Sequence, residues 1–212
     1  MHYSCPVTPI KTGKHITNLS SHLVPSVTPI YVDVLPLADA VIDDCFVVVE
    51  KAVQQFGGAR LLGWALWEMP SLYLEAEFHA IWKKPSGEIV DLTPKKVQTR
   101  RVLFLEDSSA HYNNRQVNNV RIALSKEPAV ADFLSALDAE YEFLNRGLRA
   151  DFHGELRLHG AELIEYEIIQ QRKSEAQFRF DWLRKQVGAY DPCLCGSGNK
   201  TKWCCKVSRA DT

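Results

Sequence analysis

Four of the six cysteines of this 212-residue chain stand in its last twenty residues, as Cys193, Cys195, Cys204 and Cys205. Four thiolates satisfy a tetrahedral metal ion, and a closed set of four cysteines is a usual structural zinc site. Gly196, Ser197 and Gly198 follow the first pair and let the chain turn back sharply. At the start of a helical turn, the adjacent Cys204 and Cys205 diverge far less than on a flat strand. The rival chemistry is a disulfide, which a 204–205 bond would close as a small strained ring. Burial as small hydrophobes is a third reading, but so short and polar a tail offers little core. Ligand type and number favour Zn²⁺.

The stretch PCLCGSGNKTKWCC resembles the SEC-C motif, named for the C-terminal tail of the SecA preprotein-translocation ATPase. Its pattern is C-x-C-x-S-G, then lysines, then C-C or C-H. Cys193, Cys195, Ser197, Gly198, Lys200, Cys204 and Cys205 supply it here. The likeness covers about twenty residues. It implies a zinc knob that docks on a protein partner or on the ribosome. Lys200, Lys202, Lys206 and Arg209 have two readings. They offset the −2 charge of a Zn²⁺–thiolate centre and donate to its sulfurs, or they contact phosphate and RNA. Trp203 either pads the knob or stacks on a base.

A second set lies in the front half. Cys45 falls near the start of an expected helix, His79 in an alternating strand and Asp91 in the next strand. A helix N-terminus favours a thiolate, a histidine takes the proton, and a carboxylate fixes the imidazole tautomer. In YLEAEFHAIW, Leu74, Ala76, Phe78, Ala80 and Trp82 make the buried face. Glu75, Glu77 and His79 share the other, polar face, where a reactive histidine would meet solvent. A turn at Pro85-Ser86-Gly87 opposes Ile81 to Asp91 and sets Asp91 diagonal to His79. Against this stand Asp43 and Asp44, whose charge opposes a thiolate, and the common roles of lone Cys, His and Asp as structural residues. Glu75, Glu77 and His79 with Asp91 form a weaker candidate for a divalent cation, because alternate strand positions stand nearly 7 Å apart.

Residues 63–94, GWALWEMPSLYLEAEFHAIWKKPSGEIVDLTP, resemble segments of uncharacterised bacterial and phage proteins that carry a SEC-C tail. The resemblance implies a shared site at Cys45, Glu75, Glu77, His79 and Asp91. The order Cys, His, Asp is that of transglutaminase-like and papain-like thiol enzymes. Two functions follow, a docking protein of unknown front-half role or a cysteine hydrolase or acyltransferase targeted by its tail.

The elements that must position these residues follow from periodicity. Residues 30–35 alternate as a strand. Apolar positions 46, 49, 52, 53 and 56 are helical, capped by Asp43 or Asp44 and ended by Gly57-Gly58. Strands are expected at 61–69, 72–82, 88–92 and 101–105. A polar loop at 107–119 precedes helices over 128–146 and 154–187. The fold class is α+β, a small antiparallel sheet packed on a helix, then helices and the knob. The divisions are an irregular lead-in (1–30), an α+β domain (31–120), a helical segment (121–189) and the cysteine tail (190–212). Net charge is −1, so no global field draws the chain to nucleic acid or membrane. No apolar run suits a membrane span. The start lacks a signal-peptide pattern, so a cytoplasmic, reducing setting is expected.

Overall fold

The computed structural model describes residues 5–152 and 156–204. It is an α+β fold, with four α-helices and six β-strands among the described residues. They fall into two compact units, 5–69 with 74–112, and 70–73 with 113–204.

The first unit opens with α1 (Lys14–Leu23), inside the expected irregular lead-in. Ile16 and Leu19 are buried, a helical spacing hidden among Ser and Thr. Val7 pairs with Glu68 through backbone hydrogen bonds of 2.9 and 2.8 Å, which tie the lead-in to the sheet. β1 (Ile30–Val34) leads to α2 (Cys45–Phe56). The helix starts at the cysteine itself, with Asp44 as N-cap. Cys45, Val48, Val49 and Ala52 form its buried stripe. Gly57, at φ 73°, ends it in a conformation that glycine adopts without a Cβ clash.

Four strands follow, β2 (Ala59–Met69), β3 (Tyr73–Lys83), β4 (Ile89–Asp91) and β5 (Arg101–Glu106). The order is β2-β5-β1-β4-β3, and a further β2–β3 pairing closes the sheet into a small barrel. The expected antiparallel sheet is in fact mixed. β1 runs parallel to β4, with Asp33 opposite Val90, while β1–β5, β2–β5 and β3–β4 are antiparallel. The parallel pair arises because β1 inserts between β4 and β5, strands that follow one another in sequence. At Gly63 a Cβ would stand 2.1 Å from Leu105 O, so only glycine allows the two strands to approach there.

Closure buries both faces of the central strands. Ala80, Trp82, Val90 and Leu92 pack with Cys45, Val48, Val49 and Ala52 of α2. Alternate positions, Val32, Ile81, Val102 and Phe104, make a second cluster.

The second unit holds β6 (Val120–Ala123), α3 (Pro128–Leu144) and α4 (Ala161–Gln186). Pro128 opens α3, where its missing N–H costs nothing. Tyr73, Phe133 and Phe180 stack between the helices at centroid distances of 4.6 to 6.3 Å. The cysteine tail belongs to this same unit, whereas its sequence suggests an appendage. α4 is one unbroken helix. None of the described helices is long and apolar enough to cross a membrane.

Candidate functional site

The β3–β4 register sets Trp82 opposite Val90, which puts Ile81 opposite Asp91 and makes His79 its diagonal neighbour. His79 Nε2 lies 2.9 Å from Asp91 Oδ2. The expected polar face is not solvated at this point. His79 is 1% exposed and Asp91 0%, because the closed barrel covers the side that a flat sheet would leave to water. Glu77 does line a half-buried surface, where its Oε2 accepts a 2.7 Å bond from Trp67 Nε1.

Lys95 completes a compact triangle. Its Nζ stands 2.6 Å from Asp91 Oδ2 and 3.0 Å from His79 Nε2. The other carboxylate oxygen of Asp91 accepts the Thr93 N–H at 2.9 Å. Asp91 is thus held by three donors, and its carboxylate is fixed in place. Nothing in the residue types around position 95 announces this role. Lys95 follows a turn whose path is set only by the fold.

Cys45 is the first residue of α2 and 5% exposed. Its thiol lies near enough to the His79 ring to raise the ring's pKa. Nε2 is engaged by Asp91 and Lys95, which leaves Nδ1 as the open ring nitrogen. That nitrogen is buried and has no hydrogen-bond partner. A loose thiol–imidazole approach is ordinary in an unliganded site. The structure therefore brings Cys45, His79 and Asp91 together in one unit.

Electrostatics accord with the geometry. Burial alone would push the His79 pKa down, but the Asp91 carboxylate outweighs it and raises the ring to about 10. Lys95 pulls the other way, while the His79 N–H donated to Asp91 and the nearby Cys45 thiol add to the rise. Burial would raise Asp91, yet the His79 charge and the Lys95 cation together lower it to about 2. Asp43, a rival anion at the helix start, is drawn off by Lys96 Nζ at 2.6 Å.

The couple makes stability pH-dependent. The raised His79 contributes fully below its unfolded value of 6.5 and is lost as pH rises towards about 10. The lowered Asp91 contributes above 3.8 and is lost as pH falls through about 2. Denaturant unfolding should show greatest stability between about pH 4 and 6.5, with a decline on either side. In Asp91→Asn both limbs should flatten. A profile unchanged by that substitution would show that the pair does not form.

The Tyr112 ring stacks on Phe46 at 3.7 Å between centroids and 7° between planes. Burial raises the Tyr112 pKa, and the charge of Cys45 adds to it. The expected polar loop thus packs an aromatic side chain against α2.

In the second unit, one sulfur from each of Cys193, Cys195 and Cys204 lies within 4.8 Å of the others, a cluster able to hold a metal ion. Cys205 lies outside the described residues, as do Lys206 and Arg209. Gly196 and Gly198, at φ 75° and 77°, make the expected turn-back, and Cys193 N–H donates to Asn199 O at 2.8 Å. The Cys195 and Cys204 sulfurs stand 3.6 Å apart. Two thiolates on one tetrahedral Zn²⁺ stand about 3.8 Å apart at Zn–S of about 2.3 Å, so the residues fit an ion.

Two hydroxyls approach the sulfurs among the described residues. Ser71 Oγ lies 3.1 Å from Cys193 Sγ and Ser197 Oγ 3.1 Å from Cys204 Sγ. Lys200 and Lys202 instead lie over aromatic rings, Lys200 over Tyr190 and Trp203, Lys202 over Tyr190. Trp203 meets Tyr190 edge-on and remains largely exposed. A cation–π contact keeps an exposed ammonium near water, while a short hydroxyl reaches a sulfur in a tight turn. No protein-family model, curated protein or solved structure matches this chain.

Proposed function

We propose that this protein is a thiol enzyme of the amide-hydrolysing or acyl-transferring class, with Cys45 as nucleophile, His79 as base and Asp91 as its orienting carboxylate. The observation that carries the reading is a fully buried His79–Asp91 couple whose second ring nitrogen is left to the Cys45 thiol. The thiol proton is held on His79 Nδ1, whose ring Asp91 keeps charged, as sulfur attacks a substrate carbonyl. His79 then returns that proton to the leaving amine, and a thioester to Cys45 remains. Water or a second amine attacks the thioester, again with His79 as base. The backbone N–H groups of residues 45–47 precede the first intrahelical bond of α2, Val48 N–H to Asp44 O at 3.0 Å. They are donors without helical acceptors and suit a developing oxyanion. Asp91 and Lys95 hold the ring and stay out of the bond changes.

The tail supports a second reading that is compatible with the first. Three clustered cysteines and the SEC-C-like spacing support a structural Zn²⁺ site, with Cys205 as fourth ligand. The exposed Trp203 and the lysines over Tyr190 suit docking on a protein or ribosomal partner. Both a reactive thiol and a thiolate cage suit a reducing compartment such as the cytoplasm.

The enzyme reading is tested with an activated acyl ester, p-nitrophenyl acetate, and intact-mass analysis after acid quenching. One acetyl group on the peptide containing Cys45, absent in Cys45→Ser, is expected. Acetylation spread over surface lysines, with none at Cys45, would sink it.

A further inference from the structure

α4 buries Ala176 and Phe180 on its inner side. Its outer side carries a row of six residues, Ile164, Ile168, Gln171, Glu175, Phe178 and Trp182. At about 100° per residue these fall within roughly 40° of a single line along the helix. The four apolar members are between 46% and 72% exposed. Ordinary helices turn such residues inward.

The row has an internal symmetry about Lys173. Ile164 and Trp182 stand nine positions from it, Ile168 and Phe178 five, and Gln171 and Glu175 two. Read from either end, the order is large apolar, large apolar, polar. An antiparallel two-fold pairing therefore sets Ile164 against Trp182 of a second copy and Ile168 against its Phe178. Gln171, which already donates to Glu175 Oε1 at 3.1 Å within the helix, would meet the second copy's Glu175 as well. A two-fold contact uses the same patch on both copies, and this row is self-complementary in that sense.

Charge agrees. Glu167 and Lys185 are exposed on the same flank of the row, and among the described residues neither makes an ion pair. A two-fold axis brings like flanks together, so Glu167 of one copy and Lys185 of the other share a flank, about 9 Å apart along the axis. Helical side chains lean toward the N-terminus of their own helix, so across an antiparallel pair these two lean toward each other. Antiparallel packing also sets opposite helix-dipole ends side by side. We infer that the outer face of α4 is the seat of a two-fold homodimer, formed by a second copy of this chain in antiparallel register about Lys173.

The contact row runs about 27 Å at 1.5 Å per residue, which suits a modest interface and not an obligate one. Sedimentation of the full chain over a hundredfold concentration range should show a reversible monomer–dimer equilibrium. Phe178→Glu with Trp182→Glu changes exposed positions only, so helix content by circular dichroism should be kept while dimerisation weakens by at least roughly thirtyfold. Glu167→Lys should weaken the dimer, and adding Lys185→Glu should restore it. A chain monomeric at every concentration overturns the inference, as does a dimer that survives the double Glu variant. Failure of the charge swap to restore association overturns the antiparallel register.

Discussion

His79→Ala is expected to slow alkylation of Cys45 by iodoacetamide at pH 6–7 by about a hundredfold or more, in line with the 10²–10⁴ that a positioned base contributes. The measurement is site-resolved, by mass spectrometry of the peptide containing Cys45, because the tail cysteines also alkylate. Only a thiolate attacks, and at this pH an ordinary thiol is largely protonated. On the proposed mechanism the thiol proton passes to His79 Nδ1, and Asp91, 2.9 Å from Nε2, pairs the imidazolium. Without the ring that acceptor is gone. Burial works against the reagent, since Cys45 is 5% exposed. His79→Gln, which keeps bulk in the core, guards against mistaking unfolding for loss of the base. Equal rates in native protein and both His79 variants would leave three structural residues and no thiol enzyme.

The second large effect concerns the tail. Purified chain is expected to carry one zinc ion per molecule, and Cys193→Ser or Cys204→Ser should release it. Structural Zn²⁺ in small cysteine sites contributes about 10–16 kcal/mol of apparent binding free energy, which is also folding free energy of the segment that holds it. A strong chelator should therefore unfold the stretch around 190–204 and expose the thiols to a colorimetric reagent. The effect should not stop there, because Ser71 is buried and bonded to Cys193 within the same unit. Ser71→Ala, by removing one donor to a thiolate, should weaken zinc retention about tenfold to a hundredfold. Cys205→Ser tests the remaining ligand. If elemental analysis of protein prepared without chelator finds no stoichiometric metal, the cage and the docking role that leans on it both fail.

These two sites are legible in the sequence to different degrees. The tail is readable because its chemistry is local. Cysteine type, number and spacing, with Gly196 and Gly198 between them, define a turn whose sulfurs converge whatever the rest of the chain does. Even so, residue type misleads about the partners of the sulfurs. Lysines suit the offsetting of thiolate charge; of these Lys200 and Lys202 lie over Tyr190 and Trp203, and two serines also stand against the sulfurs. One of those, Ser71, lies 122 positions away in sequence and carries no mark of its role.

In the front half, alternation with a three-residue loop at Pro85–Gly87 permits Asp91 diagonal to His79, whereas a two-residue loop would turn it to the other face, because side-chain direction in a hairpin follows from loop length. The helix start at Cys45 follows from the acidic pair before it and the apolar stripe after it. What a periodicity of two does not reveal is that β3 has no wet face at His79. A flat sheet alternates between core and solvent, but pairing of β2 with β3 closes this one. That closure depends on the meeting of whole strands and on the return of β5 to β2, so no local pattern encodes it. The same closure brings in Lys95 and Tyr112, residues whose own neighbourhoods read as turn and polar loop. The chain by itself determined which groups could act as nucleophile, base and metal ligand. Only the tertiary structure decided that His79 would be dry and paired with Asp91 and Lys95, because desolvation and ion pairing are properties of the packed interior.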